Sequence, residues 1–129
     1  MDDLVQWLRA QLDEDERTAR AVEDRSAPWD GQWVADGNSA VRTENGHVLF
    51  YRHVSDPLKP GLTDHVAKHD PARVLREIDA KRDLLRFAEG VHDHHETFTT
   101  GVAARLEVTL RLFAATYADR PGYRDEWRP

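Results

Sequence analysis

Hydrophobic residues recur every three to four positions at the start of the chain, and this period predicts a long helix. Leu4, Leu8 and Leu12 are spaced four apart, so their side chains share one helix face. An acidic run over residues 13–16 follows them. Pro28 cannot continue a helix, because it lacks the backbone N–H and its ring clashes with the preceding turn. We therefore expect a first helix over residues 3–24.

The hydrophobic period changes to that of β-strands between residues 32 and 53. Three short apolar runs are separated by two turn-like segments, 36–38 and 44–46. The second turn contains Asn45-Gly46, a strong hairpin signal, because a type I′ turn needs positive φ at both central residues. The pattern predicts a three-stranded antiparallel meander. The residues expected to face the helices are Trp33, Val41, Val48 and Phe50.

Asp70-Pro71 predicts the start of a central helix. The Asp side chain can cap the free amides of the first turn, and Pro fits the first helical position without losing a hydrogen bond. Apolar residues then keep a period of 3.6, with charged residues on the opposite face. Gly90 is a typical helix end. We expect this second long helix over residues 70–89.

Two further helices complete the predicted set. Thr63 or Asp64 is expected to cap a short helix that ends at Lys68. An apolar stripe near the end of the chain predicts a last helix over residues 102–118. The predicted fold class is therefore α+β, with the three-stranded antiparallel meander packed by about four helices. A length of 129 residues suits a single domain over residues 1–129.

Composition narrows the functions that the chain could have. The net charge of −6 makes a nucleic-acid partner unexpected, because the phosphate backbone repels an acidic protein. The absence of cysteine excludes disulfides, sulfur-ligated metals and a thiol nucleophile. The sequence has neither a signal-peptide pattern nor an apolar run near the roughly 20 residues of a membrane span. We therefore expect a cytoplasmic protein without a membrane partner.

Five histidines are the candidate metal ligands. His65 and His69 lie four apart on a predicted helix, a spacing that presents two imidazoles on one side. His92, His94 and His95 form a second group, after a central helix that would be about 30 Å long. No cofactor is expected, although histidine and carboxylate ligands would suit a divalent metal such as zinc. Alternatively, the first pair binds neighbouring carboxylates or the helix end, and the second group is an exposed polar loop.

The closing segment combines aromatic residues with arginines, which is the composition of interaction hot spots. Chain ends usually fray, so an aromatic side chain at Trp127 needs a buried place. It either packs back onto its own domain or docks onto a partner protein or a second copy of the chain. The candidate partner-binding residues are Tyr117, Tyr123, Arg124 and Trp127.

Three segments carry motifs that together point to one family. The central segment, 64–82, contains His-Asp-Pro-Ala-Arg-Val-Leu-Arg-Glu. The opening segment is 3–15, and the closing segment, 109–129, contains Tyr-Ala-Asp and ends in Glu-Trp-Arg-Pro. These segments resemble a family of small actinobacterial and phage proteins whose members typically have unknown function. The resemblance implies a lineage and supplies no catalytic residues.

We expect a small non-enzymatic interaction or accessory protein, whose partner is another protein or a second copy of the chain. The alternative is a metal-dependent enzyme, a hydrolase, that uses His65 and His69 with ligands from residues 92–96. A further alternative is a nucleic-acid-associated regulator. No catalytic residue is assigned, because no serine lies in a Gly-x-Ser-x-Gly elbow and no carboxylate lies in a context that predicts a raised pKa.

Overall fold

A computed structural model describes residues 1–22, 30–51, 61–93 and 100–129. Within these ranges the fold is α+β as predicted, with four α-helices and one three-stranded sheet. None of the described helices combines the length and the apolar character needed to cross a membrane. The elements are α1 (Asp2–Val22), β1 (Trp33–Asp36), β2 (Ala40–Thr43), β3 (Val48–Tyr51), α2 (Leu62–Lys68), α3 (Pro71–Asp93), α4 (Thr100–Ala115) and a 3-10 turn (Asp125–Trp127).

Helix α1 confirms the first predicted helix. Leu4, Leu8 and Leu12 are buried on one face, as their spacing of four requires. Val5 adds to the same face and is also buried. The predicted end at residue 24 lies outside the described residues.

The sheet has the predicted antiparallel order, but a β-bulge changes the sheet face on which Val48 lies. Val41 pairs with Phe50, whereas Arg42 pairs with Val48, so two steps along β3 match one step along β2. Leu49 is the extra residue of this β-bulge. Directly opposed residues share a sheet face, so Val48 lies on the face opposite to Phe50. The prediction that Val48 faces the helices is therefore wrong, and the side chain is 51% exposed.

The turn between β2 and β3 contains Gly46 but is not of type I′. Gly46 has a φ of 101°, whereas no described non-glycine residue has positive φ, so Asn45 cannot supply the second one. The amide of Gly46 donates to the carbonyl of Thr43 at 3.0 Å, and the amide of Thr43 donates to His47 at 2.7 Å. This is a three-residue loop with glycine in the left-handed position. The backbone amide of Asn45 donates to the Asp30 carboxylate at 3.1 Å.

Helix α2 begins without the predicted side-chain cap. Gly61, with a φ of 85°, precedes Leu62 and provides no capping side chain. Thr63 is buried, and its hydroxyl donates to the carbonyl of Gly37 at 2.6 Å. Thr63 therefore ties α2 to the turn after β1, and the predicted cap by Thr63 or Asp64 is wrong.

The predicted cap of the central helix is confirmed and extends to the sheet. One carboxylate oxygen of Asp70 accepts the amide of Arg73 at 2.8 Å, which is N-cap geometry. The other oxygen accepts the amide of Trp33 in β1 at 3.1 Å. Asp70 therefore both begins α3 and fixes its first turn against β1.

The bounds of the last two α-helices, α3 and α4, differ from the predicted ones. Helix α3 continues through Gly90 to Asp93, so the predicted stop at Gly90 is wrong. Ala88 and Val91 are buried on either side of it, and their burial offsets the ~1 kcal/mol helix penalty of glycine. Helix α4 spans Thr100–Ala115 rather than 102–118 and is followed by turns.

The described residues cluster into two compact units. The helical unit comprises 1–14 and 79–129, and its fully buried residues include Leu8, Leu85 and Leu110. The sheet unit comprises 15–78 and contains the sheet, α2, and parts of α1 and α3. Helices α1 and α3 each contribute residues to both units. The single domain over the whole chain stays a prediction.

Candidate functional site

The aromatic residues of the closing segment meet around Trp7 of α1. The ring centroid of Trp7 lies 6.4 Å from that of Tyr117, 5.8 Å from Tyr123 and 5.3 Å from Trp127. Trp127 is only 6% exposed, and Tyr117 is equally well buried. The closing segment therefore packs against its own helical unit, and the ring of Trp127 is buried there.

A glycine allows this segment to approach Trp7 closely. The indole N–H of Trp7 donates to the carbonyl of Pro121 at 3.1 Å. Gly122 follows with a φ of 85°, and a Cβ at this position would lie 2.8 Å from Nε1 of Trp7. Both the left-handed backbone and the short approach favour glycine over any other residue.

Arg124 joins the closing segment to α1 through charged hydrogen bonds. Its guanidinium donates to Asp3 at 3.0 Å and to Glu126 at 3.4 Å, and it lies 5.1 Å from the ring centroid of Trp127. The hydrogen bond to Asp3, and then that to Glu126, raises the pKa of Arg124 above its ordinary value. Of the four candidate partner-binding residues, Arg124 is exposed and Tyr123 is half-buried. Their binding to a partner stays a prediction.

His65 and His69 lie together, as their spacing indicates. Their ring centroids are 4.3 Å apart, and both residues are exposed. Nδ1 of His69 lies 2.7 Å from the carbonyl oxygen of His65, which can only accept, so this nitrogen carries a proton. In the neutral ring, Nε2 therefore keeps the lone pair that a metal or a donor would need. The adjacent carboxylate of Asp70 already accepts two backbone amides.

The other predicted metal ligands lie outside the part of the chain whose side chains the structure describes. His92 belongs to the last turn of α3, but its side chain, together with His94 and His95, lies outside the described residues. Among the residues that are described, no group of three or more histidine, aspartate and glutamate side chains could hold a metal ion. A zinc site formed by these histidines stays a prediction.

The outer edge of the sheet is a candidate surface that the sequence analysis missed. Tyr51 pairs with Ala40, which lies two residues from Arg42, so Tyr51 shares the outer face with Val48. Tyr51 is 75% exposed, and a groove of about 530 Å³ runs beside the strand. The alternation of the strand predicts Val48 and Phe50 on the face toward the helices, whereas the bulge at Leu49 places Val48 on the outer face with Tyr51.

Strand β3 is short and carries a bulge, but it lacks the side chains that often protect a sheet edge. In the described part of the chain its one strand neighbour is β2. It contains neither a charged residue nor a proline, which are common devices against pairing with other chains. At the other edge, α2 packs against β1. Within the described ranges, apolar exposure and an edge strand without charge or proline therefore coincide at β3.

One protein family matches the chain over its whole length. A family model matches residues 1–129. The chain belongs to the DUF6221 family, a family of unknown function. Comparison with curated proteins and with solved structures gives no match. Membership of the DUF6221 family confirms the suspected family of unknown function, and it brings no activity or site residue with it.

Proposed function

We propose that this member of the DUF6221 family is a non-enzymatic accessory protein that binds another protein along β3. The observation that carries the proposal is the exposure of Val48 and Tyr51 on an uncharged edge strand. An edge strand presents unpaired N–H and C=O groups, and an extended segment of a partner can pair with them. The partner's apolar side chains would then contact the outer face.

The composition of this face supports an apolar extended segment as the bound part of the partner. The chain carries a net charge of −6, yet none of that charge lies in β3. Arg42, the residue opposite Val48, adds a half-buried positive charge to the same face. An apolar segment with an occasional carboxylate therefore suits the surface better than a basic one.

Site-specific photocrosslinking in the cells that naturally make the protein tests this proposal. Tyr51 is replaced by the photoreactive analogue benzoylphenylalanine, which keeps an aromatic ring at the exposed position. We expect one discrete crosslinked protein, and we expect Val48→Glu in the same chain to abolish it, because a carboxylate on the face opposes apolar contact. The matched control places the analogue at Arg76, an exposed position of α3 in the same unit.

The crosslinking pattern decides between the proposal and its alternatives. No crosslink from position 51, or the same pattern from position 76, would overturn the proposal. A covalent dimer formed from position 51 would identify the partner as a second copy of the chain. Because Val48 is already exposed, its substitution should leave folding intact, which circular dichroism checks.

A further inference from the structure

One face of α2 is anchored, and the opposite face carries the histidine pair. Thr63 is buried and donates to the carbonyl of Gly37, so its side of α2 is fixed against the turn after β1. At 3.6 residues per turn, His65 and His69 lie about 200° and 240° around the helix axis from Thr63. The two histidines therefore share the side away from the anchor, and both are exposed.

The two imidazole rings are close enough to bind one metal ion together. Their centroids are 4.3 Å apart. Two imidazoles that bind one ion in neighbouring coordination positions, through bonds of about 2.1 Å, have centroids roughly 4.5–5 Å apart. The rings therefore need to separate by less than about 1 Å, which small torsion changes in two exposed side chains can supply. The backbone of α2 does not need to move.

A backbone hydrogen bond holds His69 in the state that a metal ligand needs. Nδ1 of His69 donates to the carbonyl oxygen of His65 at 2.7 Å. Metal-binding histidines typically donate their second ring N–H in this way, because the bond fixes the tautomer and makes the other nitrogen a better ligand. Within the described ranges neither ring makes another hydrogen bond or an ion pair. The two ligand atoms are therefore Nε2 of His69 and one ring nitrogen of His65.

The ligand set indicates which ions the pair can hold. Imidazole nitrogen suits zinc, copper(II) and nickel, whereas magnesium and calcium prefer oxygen ligands. No described histidine or carboxylate joins the pair to make a group of three, and the Asp70 carboxylate already accepts two backbone amides. Two protein ligands hold an ion less firmly than the four of a structural zinc site. Such an ion would exchange during purification without added metal.

We infer that His65 and His69 alone bind one exchangeable divalent transition metal ion of the zinc and copper class. Water fills the remaining coordination positions. The site does not use His92, His94 or His95. It is also separate in sequence from β3, so metal binding and partner binding can each fail without the other.

A zinc titration of the full chain, followed by NMR of the histidine ring nitrogens, tests the inference. Each ring nitrogen gives its own signal, so binding at the pair is distinguished from binding at the other histidines of the chain. We expect zinc to shift Nε2 of His69 and one ring nitrogen of His65 with the same affinity, since one ion contacts both. Magnesium at the same concentration is the control ion and should leave both rings unchanged.

Single substitutions show whether the two rings act together. His69→Ala should weaken zinc binding at His65 at least about tenfold, because a lost ligand costs at least as much as a lost outer-shell partner. His65→Ala should have the same effect at His69. His47→Ala is the matched control, because His47 lies between β2 and β3 and should leave the affinity of the pair unchanged. Since both histidines of the pair are exposed, their substitution should preserve the fold, which circular dichroism checks.

Three results would overturn the inference. They are no shift of either ring at millimolar zinc, equal shifts with magnesium, and an affinity at His65 that a folded His69→Ala variant leaves unchanged. Zinc shifts confined to histidines outside the pair would have the same meaning, and this readout needs no variant to fold.

Discussion

Replacing Trp127 with alanine removes the last ring of the cluster around Trp7. A tryptophan side chain buries about 150–250 Å², and this one is 6% exposed, so nearly all of that area leaves water on folding. At about 25 cal/mol per Å² the upper bound is about 4–6 kcal/mol. Because a short closing segment can relax after truncation, we expect the free energy of unfolding to fall by about 3 kcal/mol.

Urea unfolding followed by far-ultraviolet circular dichroism measures this loss without relying on tryptophan fluorescence, which the substitution itself changes. Arg124→Ala is the matched control in the same segment, and the loss of its exposed ion pairs should lower stability much less than the loss of the buried Trp127 ring. Since Trp127 packs onto its own chain, the loss caused by Trp127→Ala should be the same at every protein concentration. A loss below about 1 kcal/mol, or a loss that changes with protein concentration, would refute the reasoning.

Three further predictions concern a turn, a cap and the histidines. Gly122→Ala should lower stability by about 1–3 kcal/mol in thermal unfolding, through its positive φ and its approach to Trp7; an unchanged Tm would contradict this. Asp70→Ala should cost about 2 kcal/mol in urea unfolding, whereas Asp70→Asn should cost about half as much, because its single oxygen can accept from Arg73 but its NH2 cannot accept from Trp33; equal costs would argue against a capping role. Tag-free protein should contain far less than one zinc per chain by elemental analysis. Stoichiometric zinc that disappears in a His65→Ala, His69→Ala double variant would instead favour the metal-dependent hydrolase.

Local chemistry made much of the helical framework predictable. The spacing of Leu4, Leu8 and Leu12 places three side chains on one face of a helix, and any packed helix of this sequence must bury that face. Asp70-Pro71 combines a cap with a residue that fits the first helical position, so it indicates a helix start without tertiary information. Such signals depend on neighbours in sequence, and these are known before the fold is.

Signals that depend on tertiary packing were missed. The bulge at Leu49 reverses the side on which Val48 lies, and nothing in the alternation of β3 marks it. Gly90 remains helical because its neighbours are buried, although glycine alone favours an end. The candidate surface on β3 depends on such packing, because the bulge places Val48 there. The sequence could therefore indicate the residue types of the candidate site, but it could not indicate the surfaces that they form.

The bond from Trp7 to Pro121 joins residues 114 positions apart, and this separation affects how the protein is made. At about 5–20 residues per second, a ribosome needs roughly 6–23 s to add the intervening residues. During that interval the first helix emerges without the aromatic segment that covers Trp7. The nascent helix therefore presents an uncovered indole beside the apolar face of Leu4 and Leu8, a stretch suited to transient chaperone binding.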